Sequence, residues 1–349
     1  MKAPNNQNIG ILTFHDGLNH GAYLQAYATY KLLESWGYAP EIINYKNPKH
    51  AFKENIRPWL MYRRPIRFVD HWRKSRAFKR DHLKLRMSAK TCSADDVKAH
   101  RYDTVVIGSD VVWNYKPFGY DDLYFGGVNA NKIIAYAASC GWVSTDEEHP
   151  PDLKSALSRF TALSVRDANT SRFVQNQGLP EPPLVLDPTL VYDFKTELAS
   201  PFSRPVKQPY ILVYTYVTPT EQAVDEIRQC AKNAGLILVG TGYHQDWCDV
   251  NLLDLSPLEW IHLILEADSM ITSTFHGAIF ALKLKKDFRF IANDKAKSRV
   301  QTLFDLYGVS PSTSENNELI KISFSESRSA KIDQMITFSR DWLEQHIEE

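Results

Sequence analysis

Two runs of alternating strand-like and helix-like segments, joined by a proline-bearing stretch, constrain this chain more than any other feature. In the first run, Ile9 to Phe14, Glu41 to Tyr45, Thr104 to Ile107, Lys132 to Ala137, Ala162 to Val165 and Leu184 to Leu186 read as strands. A helix over Ala22 to Trp36 follows the first strand, with Leu24, Ala28 and Leu32 on one face and Gly37 as its stop. Strand, loop, helix, strand is the opening of a parallel, doubly wound sheet. The second run holds strands over Tyr210 to Tyr216, Leu236 to Val239, Met270 to Thr272 and Phe288 to Ile291. Its helices open at two capping boxes, Thr218-Pro219-Thr220-Glu221 and Ser256-Pro257-Leu258-Glu259, and a third runs over Lys297 to Tyr307. The chain therefore reads as α/β, with a Rossmann-like domain over 1–198, a second over 209–325 and a C-terminal helix over 326–349. A cleft between the two domains is the expected ligand site.

Each apolar run delivers polar residues at its C-terminal end, the edge where open α/β sheets bind ligands. Gly108-Ser109-Asp110, Arg166-Asp167 and Asp187-Pro188-Thr189 stand at such ends. Arg166 is suited to a bidentate bond with a carboxylate or phosphate, or to an ion pair with Asp167. Asp110 and Asp187 could act as bases or orient a histidine, and Asp187, before Pro188, also fits a helix cap. The richest stretch is Met270 to Leu284, a short buried strand, a tight turn and a helix expected to open at Gly277. It sets Ser273, Thr274 and His276 at a helix N-terminus, where unpaired amides and the helix dipole favour an anion. His276 can serve a phosphate or carboxylate there, or simply pack the turn. Arg299, after Lys297 and Ser298, adds positive charge beside it.

Composition removes several classes. With 349 residues, 44% hydrophobic and 23% charged, the chain is an ordinary globular one of two-domain length. A formal net charge of zero weakens any case for nucleic acid. No apolar run approaches the roughly 18 residues of a membrane span, and the N-terminus lacks a signal-peptide stretch. Cys92, Cys140, Cys230 and Cys248 are scattered, fitting reduced thiols in the cytoplasm. Neither a glycine-rich phosphate loop nor H-E-x-x-H nor G-x-S-x-G occurs, and no metal constellation is visible.

Residues 52 to 86 differ in character, with twelve Lys or Arg against three acids, interleaved with Trp59, Tyr62, Phe68, Trp72 and Phe78. This basic helical excursion suits anionic lipid head groups or a charged glycan carrier. It equally suits a solvated arm balanced by the acidic remainder of the chain.

Five motifs in order give the chain a resemblance to the polysaccharide pyruvyl transferase family over most of its length. They are Gly10 to Ala28, V-I-G-S-D-V-V-W-N from Val106 to Asn114, and I-A-Y-A-A-S-C-G from Ile134 to Gly141. The fourth is L-S-V-R-D from Leu163 to Asp167 with V-L-D-P-T-L from Val185 to Leu190. The fifth is S-T-F-H-G from Ser273 to Gly277 with K-S-R at Lys297 to Arg299. The resemblance implies two Rossmann-like domains facing a cleft, similar to GT-B glycosyltransferases. It implies transfer of the enolpyruvyl group of phosphoenolpyruvate to two hydroxyls of a glycan sugar, giving a pyruvate ketal. Phosphoenolpyruvate is then a donor substrate, and no cofactor or metal is called for.

By resemblance Arg166 and His276 match the family's motif arginine and histidine; for this chemistry His276 is the expected general acid or phosphate polariser, and Asp110 or His15 the base on an acceptor hydroxyl. Arg166, assisted by Arg299, would hold the donor with Ser273, Thr274 and Gly277. Asn19, Ser109 and Trp113 would face the acceptor, a glycan or lipid-linked saccharide. Three departures stand out: Thr274 where some members carry arginine, Val111 where many have glutamine, and Cys140 where phenylalanine is common. The implied location is cytoplasmic, with peripheral contact to the membrane if the acceptor is lipid-linked. A nucleotide-sugar glycosyltransferase of the same architecture is the alternative, and a non-catalytic glycan-binding or scaffold protein is a third reading.

Overall fold

The computed structural model describes residues 7–52, 65–145, 147–292, 294–309, 312–313, 319–322 and 330–349. The first sheet comprises β1 (Ile9–Leu12), β2 (Glu41–Ile42), β3 (Tyr102–Ile107), β4 (Ala130–Ala138) and β5 (Ala162–Val165). Its order is β2-β1-β3-β4-β5, and every pairing is parallel. The central strands are continuous apolar runs because helices cover both faces of the sheet. Leu184 makes only an isolated bridge to Val165, so the strand expected over Leu184 to Leu186 is not formed. Pro182 and Pro183 before it supply no amide to a ladder.

The second sheet holds β6 (Tyr210–Tyr214), β7 (Ile237–Thr241), β8 (Val250–Leu252), β9 (Ser269–Thr272), β10 (Asp287–Ile291), β11 (Ser312–Thr313) and β12 (Leu319–Ile322). Its order is β11-β12-β10-β9-β6-β7-β8, parallel except where β12 meets β10 and β11. Strand order reverses between β1 and β3 in the first sheet and between β6 and β9 in the second. Those switch points are where doubly wound folds open a crevice at the carboxyl ends of the strands.

The longer helices are α1 (His20–Ser35), α2 (Pro65–His82), α3 (Ala168–Asn176), α4 (Glu221–Asn233), α5 (Pro257–Glu266), α6 (Phe275–Lys283), α7 (Asp294–Tyr307) and α8 (Ala330–Glu348). Their starts follow the caps. Ser256 and Glu259 form the expected reciprocal box at α5. At α4 the cap is Thr220 rather than Thr218, because the Thr220 hydroxyl is the group that accepts from the Ala223 amide. α6 begins two residues before the expected Gly277, because Thr274 takes the cap position and accepts from the Gly277 amide.

The two sheets share one apolar core, with Tyr23 and Leu24 of α1 clustered with Trp260 and Ile261 of α5 and Phe280 of α6. α8 returns to the first sheet, where Ser339 accepts from Tyr136 and from the Leu186 amide. The basic excursion is embedded rather than solvated. α2 buries Lys74, Ala77, Phe78 and Asp81. Lys74 donates to the Gly242 carbonyl at 2.8 Å, and Asp81 accepts from the Leu258 amide at the start of α5. The rest of that excursion, including Trp59 and Tyr62, lies outside the described residues.

Candidate active site

The carboxyl ends of β1, β3, β6 and β9 open onto a cavity of 310 Å³ between the two sheets. Its floor is built by the turn from β9 into α6. Gly277 is required there, since a β-carbon would fall 2.1 Å from the Thr272 hydroxyl and 2.7 Å from the Thr274 hydroxyl. The tight turn sets Thr274, Phe275 and His276 along the cavity. The first amides of α6 have no carbonyl within the helix to bond, so they present partial positive charge.

His276 is 8% exposed and crosses to the opposite lobe. Its ring packs on Gly21 of α1, where even a β-carbon would lie 2.2 Å from Nδ1. Nε2 stands 3.6 Å from Asp187 Oδ2 and has no hydrogen-bond partner. Asp187 is buried and heavily bonded. It accepts from the Thr189 amide and hydroxyl at 3.0 and 2.6 Å and from Arg166 at 2.5 Å. Burial pushes its carboxyl up, but His276, Arg166 and Thr189 together overcome this and hold it well below the usual carboxylate range. Asp187 also caps the helical turn Pro188–Val191, so the cap and the histidine partner are the same residue.

Two guanidinium groups pack on Phe275. Arg166 lies 4.8 Å from its ring centre and Arg299 lies 5.5 Å away. Arg299 of α7 lines the cavity. Burial and then the charge of Arg166 pull its guanidinium below the ordinary value. An anion placed there relieves both the desolvation and the like-charge repulsion. Asp110 lines the same cavity, held at φ 59° with its carboxylate accepting from the Val111 amide at 2.8 Å.

Of the residues marked by sequence, His276, Asp110, Thr274, Arg299 and Asn19 converge on this cavity. Asn19 caps α1 through the Gly21 and Ala22 amides. The others do not line it. Arg166 is wholly buried one layer behind, bonded to Asp187 and Asp110, not to Asp167. Asp167 instead caps α3 and accepts from Ser139. Ser273 is buried, tying β6 to β9 through the Thr215 hydroxyl and Tyr216 amide. Gly277 spends its amide on Thr274. Ser109 is buried, bridging the Gln25 side chain, the Ala137 carbonyl and Arg166. His15 is buried against the Thr13 carbonyl and Asn44, and burial lowers its imidazole below the ordinary value. Trp113 is core, its indole donating to the Tyr124 carbonyl.

The cavity also gathers residues that sequence reasoning missed: His50, Asn114, Phe118, Trp142, Tyr216 and Tyr243. Only Asn114 carried a signal, as the end of the V-I-G-S-D-V-V-W-N motif. Among the described residues, no group of three or more His, Cys, Asp or Glu could hold a metal ion. No helix among them is long and apolar enough to cross a membrane.

Among solved structures, the chain is similar to UDP-N-acetylglucosamine 2-epimerase from Rickettsia bellii, at 9% identity and a TM-score of 0.50, over 98% of this chain and 96% of that one. It is also similar to S. aureus MnaA in its UDP co-structure, at 11% identity and a TM-score of 0.48, covering 98% and 96%. A third likeness is to E. coli heptosyltransferase WaaC with ADP, at 12% identity and a TM-score of 0.38, covering 80% and 86%. At such identities the likeness speaks to fold alone, the two-domain α/β architecture of the GT-B type. No curated protein matches the chain. A family model described as polysaccharide pyruvyl transferase matches residues 19–295, from the cap of α1 to the start of α7. That span includes both lobes of the cavity, and the chain belongs to the polysaccharide pyruvyl transferase family.

Proposed function

We propose that this enzyme transfers the enolpyruvyl group of phosphoenolpyruvate to two hydroxyls of a glycan sugar, forming a pyruvate ketal for exopolysaccharide, capsule or cell-wall glycan. The observation that carries the reading is His276. Its Nε2 is buried and faces the depressed Asp187 carboxylate at 3.6 Å, beside Arg299 and the N-terminus of α6. A donor with a carboxylate and a phosphate matches that cationic side of the cavity.

The chemistry follows from the atoms. Protonation of the donor's methylene carbon by His276 makes its C2 electrophilic, and Asp187 stabilises the imidazolium before transfer. A sugar hydroxyl attacks C2, and Asp110 accepts its proton. Phosphate leaves by C–O cleavage, assisted by Arg299 and the α6 amides. The second hydroxyl closes the ketal, its proton leaves with the phosphate, and the proton taken by Asp110 returns through solvent to His276. Arg166 touches no substrate in this scheme; it fixes Asp110 and Asp187.

Phosphoenolpyruvate is a cytoplasmic metabolite, which places the reaction in the cytoplasm. The outer face of α2 supports peripheral contact with anionic lipid, and hence a lipid-linked acceptor. Trp72 there is 49% exposed, among Arg73, Arg76 and Lys79, and Leu83, just after the helix, is 87% exposed. The test is a thermal-shift titration with phosphoenolpyruvate on wild type, Arg299→Ala and His276→Ala, followed by phosphate release with candidate glycans. A donor that binds the folded state raises the melting temperature, and Arg299→Ala should lose that rise. A rise with nucleotide sugars and none with phosphoenolpyruvate would replace this reading with the glycosyltransferase one.

A further inference from the structure

Gln25 lies in α1 among Leu24, Ala26, Tyr27 and Ala28, and like them it is buried. A carboxamide in such a place is tolerated only where its donors and its acceptor are matched. Its two Nε2 hydrogens are shared among the Phe14 carbonyl at 3.0 Å, the Ala22 carbonyl at 2.8 Å and the Thr13 hydroxyl at 2.9 Å. Oε1 accepts from the Ser109 amide at 3.1 Å. Those partners fix the orientation, since the carbonyls only accept and the amide only donates. We infer that Gln25 is a positioning residue, which through Ser109 sets the place of the Asp110 carboxylate in the cavity. The role of that carboxylate as base rests on the proposed reaction.

The bonds close into a ring. Thr13 follows β1 and Ser109 follows β3, at the switch point of the first sheet. The Thr13 hydroxyl, which accepts from Gln25, donates to the Ser109 carbonyl at 3.3 Å. Gln25 and Thr13 thus hold both the N–H and the C=O of Ser109, and that C=O belongs to the peptide bond that enters Asp110. All three side chains are buried, where bulk water does not compete for such bonds. The other ends of the ring are anchored in the cavity wall itself, because Phe14 and Ala22 both line it.

Asp110 needs such a hold. It is a residue other than glycine at φ 59°, a conformation that persists only where the surroundings over-determine it. On the side after it, its carbonyl accepts from the Ser139 amide at 3.1 Å and its carboxylate from the Val111 amide at 2.8 Å. On the side before it, Gln25 and Thr13 supply the hold. Arg166 also reaches the carboxylate, but at 3.4 Å, long for a hydrogen bond between charged groups. A base must stand within hydrogen-bond reach of the hydroxyl it serves, so the backbone that carries it sets its efficiency.

The test uses the full chain with Gln25→Met, which keeps the length of the side chain and removes its polar atoms, and with Thr13→Val, which removes one hydroxyl. Hydrogen–deuterium exchange, which needs no substrate, reports on residues 108–114. Phosphate release from phosphoenolpyruvate with an acceptor glycan gives kcat and KM. Both variants should exchange faster over 108–114. In Gln25→Met kcat should fall on the order of tenfold to a hundredfold, and in Thr13→Val by less, with the phosphoenolpyruvate KM unchanged because the donor meets the opposite lobe. In an Asp110→Asn background Gln25→Met should cost nothing further in kcat, whereas a merely structural glutamine would slow both backgrounds equally. Should Gln25→Met fail to fold, Thr13→Val decides by the same two comparisons. Unchanged exchange over 108–114, or equal slowing in both backgrounds, would overturn the inference. Faster exchange confined to 108–114, with no turnover of phosphoenolpyruvate by wild type, would support the hold on Asp110 and defeat the proposed reaction instead.

Discussion

Replacing Gly21 with alanine should disable His276 while leaving the fold standing. The two residues sit on different lobes, and the first turn of α1 presses directly on the histidine ring. An added β-carbon would lie 2.2 Å from Nδ1, 2.3 Å from Cγ and 2.5 Å from Cβ of His276. Ordinary contact begins near 3.4 Å, so about 1.2 Å (3.4 − 2.2) of movement is required. A rotation of the ring alone does not supply it, because the histidine Cβ is itself too close. Either α1 or α6 must shift, and Nε2 leaves its place beside Asp187. A misplacement of about 1 Å at a reacting group costs on the order of 10²-fold in rate.

Stability moves much less. Alanine favours the helix by up to about 1 kcal/mol, and overpacking costs about 1–3 kcal/mol. The net loss is at most about 3 kcal/mol, and about 2 kcal/mol or less if the full helix gain is realised. The assay is phosphate release from phosphoenolpyruvate with an acceptor glycan, run with Gly21→Ala, His276→Ala and the double variant. If Gly21 acts only by seating the histidine, the double variant should be no slower than His276→Ala alone. A folded Gly21→Ala enzyme with wild-type kcat would refute the argument, because His276 would then not need the position the structure gives it. Fully additive losses would refute it as well, since they would mean that Gly21 acts elsewhere.

Three further outcomes are expected. Asp187→Asn should destabilise the fold by about 3–5 kcal/mol in urea titration, because it leaves the Arg166 guanidinium buried without its closest carboxylate; a loss under about 1 kcal/mol would show that Asp110 alone suffices. Acid should weaken the protein in two stages. Burial holds His20 well below its ordinary 6.5, so its penalty is absent above that pH and grows as pH falls below it, while Asp187, depressed from 3.8, adds its own loss only below that value. His20→Phe should therefore flatten the first stage of a melting-temperature profile and not the second. Trp72→Ala combined with Arg73→Gln and Arg76→Gln should reduce co-sedimentation with anionic vesicles and spare neutral ones, and unchanged sedimentation would remove α2 as a lipid contact.

The sheets were legible in the sequence because buried parallel strands are short apolar runs, and their polar C-terminal residues mark the ligand edge. The face that each of those residues presents was not legible. Ser273 and Thr274 are adjacent, as are Ser109 and Asp110, and Trp113 and Asn114. In each pair one member turns into the core and the next into the cavity. Composition favours the larger aromatic as a sugar platform, yet Trp113 is the one that packing claims. Short strands such as β8 and β12 carry too few residues for a periodic signal, and the charge of α2 conceals the stripe formed by Lys74, Ala77, Phe78 and Asp81.

Arg166 shows where reading of this kind stops. Its place after a strand marks it for an anion, and an anion does hold it, but the anions are Asp187 and Asp110 of its own chain. A guanidinium taken fully out of water must be paired, and the partners come from segments that only the fold brings together. The guanidinium that lines the cavity is instead that of Arg299, which packs on the ring of Phe275 as Arg166 does. The threonine at 274, where some relatives carry arginine, is then no vacancy in charge. Its hydroxyl caps α6, whose first turn lines the same cavity that Arg299 enters from α7. Thr274→Arg should accordingly not improve donor binding in the presence of Arg299, and should restore part of it in Arg299→Ala. Calorimetric titration of phosphoenolpyruvate into the three variants decides between them, and rescue by Thr274→Arg equal in both backgrounds would show that the two positions do not share a ligand.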